Sequence, residues 1–174
     1  MVDEWTPIAY FNGTFDGNGK TIYNLSATAE QGVGFFGKTG GAAVVKNLTI
    51  DGATVNGNHW VGAIAGYAYG TITGCTVKNA TINCTAKKDD NGIVITDLEG
   101  DKAGAVVGFL GEDATLKQCT AANSSVKAVR DAGQIVGAAY ETCVTLCSAT
   151  NVTVSGTGAN IKNAIIGRNL SIGE

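Results

Sequence analysis

One short block limits what this chain can fold into. It is a glycine, three mostly apolar residues and a second glycine. It recurs as Gly62-Ala63-Ile64-Ala65-Gly66, Gly104-Ala105-Val106-Val107-Gly108 and Gly133-Gln134-Ile135-Val136-Gly137. Gly34-Phe35-Phe36-Gly37 lacks one apolar residue, and Ala164-Ile165-Ile166-Gly167 lacks the opening glycine, as the outermost copies of a repeat often do. The closing glycines Gly37, Gly66, Gly108, Gly137 and Gly167 lie 29, 42, 29 and 30 residues apart. A charge-rich insertion over residues 87–100 accounts for the long interval.

A second segment follows each block. Leu48-Thr49-Ile50-Asp51-Gly52-Ala53-Thr54-Val55 has counterparts starting at Cys75, Cys119 and Cys147. Leu48 and Ile50 share one face of a strand, as do Ala53 and Val55, but the two pairs have opposite parity. The inward side therefore switches near residues 51–52. Gly52, Asn79, Asn123 and Asn151 occupy that switch, and these residue types tolerate the left-handed backbone of a sharp corner.

A unit of this size with short strands cannot bury its own interior, so copies must stack, each strand pairing with its equivalent about 4.8 Å away. β-Branched alternation in Thr71-Ile72-Thr73 and Val152-Thr153-Val154, with 25 glycines in 174 residues, favours strands over a helical solenoid. The predicted fold is all-β: a right-handed parallel β-helix of five to six coils of about 29 residues. It forms one domain over 1–174, with a capping segment at 1–30, repeats at 31–167 and a truncated last coil at 168–174. Within the insertion, Ile93-Val94-Ile95 is expected to add a strand.

Composition excludes several classes. With 12 basic against 15 acidic residues and a net charge of −3, the chain shows no basic stripe for nucleic acid. No apolar run is long enough for a membrane span. The opening Met1-Val2-Asp3-Glu4-Trp5 lacks the basic and apolar regions of a secretion signal. The closing Leu170-Ser171-Ile172-Gly173-Glu174 reads as an interrupted strand, so a piece of a longer secreted chain is expected.

The glycine blocks, with the Asn-Cys-Thr or Asn-Leu-Thr strands after them, resemble the GLUG motif of bacterial surface and secreted β-helix proteins. Trp5-Thr6-Pro7-Ile8, followed by Phe11 to Leu25, is similar to the segment that precedes such repeats in adhesin-like proteins. The resemblance covers nearly the whole chain outside 87–100. It implies an extracellular or cell-surface location.

Chemistry-bearing residues are few. Cys75, Cys119 and Cys147 share one repeat position and are expected as a buried thiol column. Neighbouring rungs lie within disulfide reach, and the odd total of five leaves at least one thiol free. The lone His59, read as an exposed junction residue, and the absence of Cys-x-x-Cys oppose a zinc site. Asp51 aligns with Lys78, Ala122 and Thr150, so no acidic column builds toward a glycosidase pair. Asp89, Asp90, Asp97, Glu99 and Asp101 cluster in the insertion, flanked by Lys87, Lys88 and Lys102, and read as a solvated loop. Asp16-Gly17-Asn18-Gly19 has half of a calcium loop's ligands but equally the composition of a tight turn. Neither catalytic residues, metal nor cofactor is assigned. The columns Thr49, Thr76, Thr120 and Ser148 and Thr54, Thr81, Ser125 and Thr153 lie on separate faces, a poor array for ice.

Aromatic residues beside polar corners remain as a ligand face: Trp5, Tyr23, Trp60, Tyr69 and Tyr140. The expected function is a non-enzymatic adhesion or binding module whose partner is a glycan or protein of a host or neighbouring cell. A carbohydrate-active enzyme or accessory domain is the first alternative and a passive spacer the second. End-to-end packing, or continuation into a longer chain, would cover the exposed strand edges.

Overall fold

The computed structural model describes residues 3–95, 101–140 and 143–170. The chain winds into about five stacked coils. The first holds β1 (Thr14–Asp16), β2 (Thr21–Tyr23), β3 (Ser26–Val33) and β4 (Phe36–Lys38). The second holds β5 (Val44–Lys46), β6 (Thr49–Asp51), β7 (Thr54–Val61) and β8 (Ala65–Ala68). The third holds β9 (Thr71–Thr73), β10 (Thr76–Lys78), β11 (Thr81–Cys84), β12 (Lys102–Gly104) and β13 (Val107–Leu110). The fourth holds β14 (Thr115–Lys117), β15 (Thr120–Ala128), β16 (Asp131–Gly133) and β17 (Val136–Tyr140). The fifth holds β18 (Val144–Thr145), β19 (Ser148–Gly156), β20 (Asn160–Ile161) and β21 (Ile166–Leu170).

Among the described residues every strand pairs in parallel with its counterpart one coil away, giving two sheets of five strands and one of eleven. This is a parallel β-solenoid. Like side chains form columns through the interior. Phe15, Val45, Ile72, Leu116 and Val144 make one. Ile22, Ile50, Val77, Ala121 and Ala149 make a second. Ala27, Val55, Ile82, Val126 and Val154 make a third. The middle members of each column are buried.

The corner positions adopt the expected left-handed backbone, with φ of 78° at Gly52, 55° at Asn79, 49° at Asn123 and 53° at Asn151. Asn24, with φ 54°, adds the first-coil member. Asparagine amides link the rungs: Asn79 donates to Asp51 (2.7 Å) and Asn151 to Asn123 (2.9 Å). A second left-handed corner, one residue before the thiol position, runs through Asn47, Gly74, Gln118 and Leu146. Its mixed composition hides it from a composition-based reading.

The closing-glycine column has a steric cause. A Cβ on Gly66 would run into the backbone of Trp60 and Val33, and one on Gly108 would sit 2.6 Å from the Trp60 carbonyl carbon. The strand after the block thus lies directly against the backbone before it.

Three expectations are corrected. Asp101 and Lys102, at the end of the insertion, are buried where the chain enters β12 rather than solvated. Ile93–Ile95 form no strand. The segment is a turn held by Asp89, whose carboxylate accepts from the Asn91 and Ile93 amides, and by one antiparallel bridge between Lys88 and Val94. Ile93, Val94 and Ile95 stand exposed, and no strand among the described residues covers them. His59 is buried rather than exposed, because the alternation along β7 turns it to the same side as Val55, Gly57 and Val61. Residues 96–100, with Asp97 and Glu99, and residues 171–174 lie outside the described residues.

Candidate functional site

The thiols at the shared repeat position lie in register, since Thr76, Thr120 and Ser148, each one residue on, pair across adjacent strands. Cys75 and Cys119 are buried, whereas Cys147 in the last coil is half-buried, and all five cysteines are free thiols. Interaction with the Cys119 thiol one rung away draws the Cys147 pKa down to about 7, against the opposing effect of burial. Cys119 itself is driven upward by the same interaction. Burial pushes Cys84 up to about 12.

Asp16 is occupied by its own chain. Its carboxylate accepts from the Asn18 amide (2.9 Å) and the Asn47 side chain (3.1 Å), with Lys46 at 3.4 Å. Those hydrogen bonds hold it below the usual carboxylate range. Asp51 is lowered in the same way, first by Asn79 and then by Lys78. Among the described residues, no cluster of three or more His, Cys, Asp or Glu is arranged to hold a metal ion.

The five aromatic residues singled out from the sequence do not form one face. Trp5 stacks flat on Phe35 at 4.8 Å, and its indole donates to the Phe35 carbonyl, so it packs the first coil. Tyr23 stands 69% exposed in β2, opposite Asp51 on the large sheet. Tyr140 lies in β17, two rungs from Tyr69, since the β8–β13 and β13–β17 registers carry Gly111 between them. Only Trp60 and Tyr69 come together, through Tyr67. The Trp60 and Tyr67 ring centroids are 5.0 Å apart, the Tyr67 and Tyr69 centroids 4.8 Å, and the Tyr67 and Phe109 centroids 4.8 Å. The two tyrosine hydroxyls share a 2.5 Å hydrogen bond.

Two columns build this cluster. Register places Gly32, Trp60, Lys102 and Asp131 at successive rungs of one. Lys38, Tyr67, Phe109 and Ala138 form the other. In the second coil Trp60 packs on Tyr67, and in the third Lys102 lies over Phe109 at 5.4 Å. In the first coil Gly32 offers no side chain, and an open pocket of about 350 Å³ remains. Trp60 and Lys38 line it together with Gly32, Gln31, Thr6 and Pro7. The Lys38 ammonium lies over the Tyr67 and Tyr69 rings at 5.1 and 5.5 Å. No carboxylate is among the lining residues.

Backbone geometry sets the position of Trp60. Its φ is 48°, matching the 60° of Gly32 one rung below. A bulky residue in this region is uncommon and is strained relative to glycine.

Sequence reasoning missed Gly32, Gln31 and Lys38. The first glycine block is one residue short, so alignment on closing glycines sets Gln31 opposite Trp60. In the structure Gln31 pairs with His59, and Gly32 falls opposite Trp60.

Fold and site together define a parallel β-solenoid repeat module with an aromatic pocket on its side. The sequence model of the family described as the GLUG motif matches residues 57–87, which span the strand carrying Trp60, the second glycine block and the two strands beyond the thiol position. The chain is also similar to Halomucin from Haloquadratum walsbyi, 44% identical over 68 residues, covering 38% of this chain and 1% of Halomucin. No solved structure gave a significant match.

Proposed function

We propose that this chain is a non-enzymatic module of a secreted or cell-surface protein, a rigid solenoid that binds a glycan or protein through the aromatic cluster around Trp60. The observation that carries this reading is the open pocket lined by Trp60 and Lys38, with Trp60 packed on Tyr67 and Lys38 lying over the Tyr67 and Tyr69 rings. Rigid aromatic groups beside polar side chains supply large contact area at low conformational cost. The solenoid holds them on strands rather than on mobile loops. An extracellular setting is supported by the resemblance to GLUG-motif proteins and by the Halomucin match, a 68-residue stretch that makes up 1% of that protein.

The same comparison supports a supporting role as a spacer segment. Among the described strands, β18 and β19 each pair on one side only. We propose that further coils of a longer chain, or a second copy packed end to end, cover this edge.

The test is retention of the immobilised protein on intact cells and purified surface glycoproteins. Wild type is expected to bind, and Trp60→Gly to lose binding while keeping its β-sheet circular dichroism. Gly32 already occupies the equivalent rung, so the backbone accepts glycine there. No binding by wild type, or equal binding by the variant, overturns the reading.

A further inference from the structure

We infer that the pocket at Gly32, Lys38 and Trp60 is a subsite for an acidic sugar, a residue bearing a carboxylate or a sulfate group. This rests on the binding reading above and names the ligand class.

The pocket volume of about 350 Å³ lies at the lower end of the range for small-molecule sites, which is suited to one or two sugar rings. Its walls divide as a pyranose requires. The Trp60 ring and Pro7 offer apolar surface for the C–H face of a sugar. The Gln31 amide and the Thr6 hydroxyl, both on exposed residues, can donate to and accept from ring hydroxyls.

Charge selects the substituent. The whole chain carries a net charge of −3, yet Lys38 is the one ionisable residue lining the pocket. It is exposed, and no ion pair to it occurs among the described residues. Its ammonium is held by the faces of Tyr67 and Tyr69, which orient a cation without consuming its hydrogen-bond donors. A neutral sugar would leave those donors to water. A carboxylate or sulfate would accept them in charge-assisted bonds, which are roughly twice as strong as neutral ones.

The pocket exists because Gly32 replaces, in the first coil, the side chain that Trp60 and Lys102 supply in the second and third. The missing side chain opens the space, the next rung supplies the stacking ring, and the facing column supplies the cation.

The experiment is calorimetric titration of the purified chain with three oligosaccharides of matched backbone, one neutral, one carrying a uronic acid and one sulfated, at low and high salt. At least one acidic member is expected to bind about tenfold more tightly than the neutral one, a difference of about 1.4 kcal/mol. The preference should shrink in high salt as screening shortens the reach of Lys38. Lys38→Gln should erase the preference, Lys38→Arg should keep it, and Trp60→Gly should abolish binding of all three. The carboxylate and sulfate arms separate the two sources of charge. Equal binding of neutral and acidic sugars, or a preference unchanged in Lys38→Gln, overturns the inference and leaves the binding reading intact. Trp60-dependent retention on glycoproteins that survives deglycosylation does the same. If wild type binds neither sugars nor glycoproteins, both fall. Lys38 is exposed, so its variants test the inference even if Trp60→Gly is poorly folded.

Discussion

The first and fifth coils have the same sequence pattern and opposite finishes. In the first, Trp5 stacks on Phe35, Phe11 lies 4.8 Å from Phe36, and Phe15 meets Phe36 edge-on at 5.6 Å. Residues 5–11 run along this coil, held by the Trp5 amide to Ser26 and by bridges at Ile8 and Phe11. In the fifth coil, Val144, Cys147, Ala149, Val154, Ile161 and Ile166 are only partly buried, and Leu146 is 74% exposed. A coil in a solenoid draws its burial from its neighbours. A terminal coil therefore keeps a half-finished interior unless another segment folds over it, as residues 5–11 do beside the buried Phe35 and Phe36, while first-coil Phe15 and Ile22 stay partly buried.

The largest expected break in this contrast is Phe36→Ala. Phe36 is fully buried among three other phenylalanines, and truncation should cost about 3–5 kcal/mol. Ile166→Ala in the last coil, where burial is partial, should fall at the low end of the roughly 2–5 kcal/mol range for such truncations or below it. Urea unfolding of both variants measures the difference, and equal costs would refute the idea that the first coil is plugged.

Gly108→Ala should destabilise by about 1–3 kcal/mol or more, since the added methyl meets backbone that cannot step aside. Asn79→Ala loses both the tolerant left-handed residue and the bond to Asp51, and should cost about 1–2 kcal/mol from the backbone alone. Asn151→Ala, in the less buried last coil, should cost no more, and a clearly larger penalty there would contradict the contrast.

The smallest effect sharpens the comparison chemically. Cys147, half-buried with its pKa drawn down to about 7, should be the first thiol alkylated by iodoacetamide, with a rate rising through pH 7. Buried Cys75, Cys119 and Cys84 should resist until unfolding, as peptide mass spectrometry would show. The stability linkage follows the same direction. The folded value of Cys147 lies below that of an unfolded thiol, near 8.5. Its contribution is thus fully present above that value and is lost as pH falls through about 7. Cys84 has the opposite sign: its contribution is present below the ordinary value and lost as pH rises toward 12.

Much of the architecture was legible because a solenoid copies local pattern into three dimensions. The switch in parity at residues 51–52 placed Leu48, Ile50, Ala53 and Val55 inside, and the coordinates agree. The thiol column followed from spacing alone. The second corner escaped notice because Asn47, Gly74, Gln118 and Leu146 share a backbone conformation but no residue type. From sequence, His59 beside Trp60 reads as an exposed loop-to-strand junction residue, but β7 runs through both and strand parity buries it.

The site was legible only in part. Trp60 and Tyr69 could be singled out as aromatic residues near corners, but not their meeting through Tyr67, nor the dispersal of Trp5, Tyr23 and Tyr140. What the amino-acid sequence determined by itself was the stacking: period, parity and corner residues are local properties that repeat. The tertiary structure decided which columns face one another, because that depends on how tightly each arch closes. One missing residue in the first glycine block moved Gly32 opposite Trp60 and opened the pocket beside Lys38, a consequence of register between coils that no single stretch of chain contains.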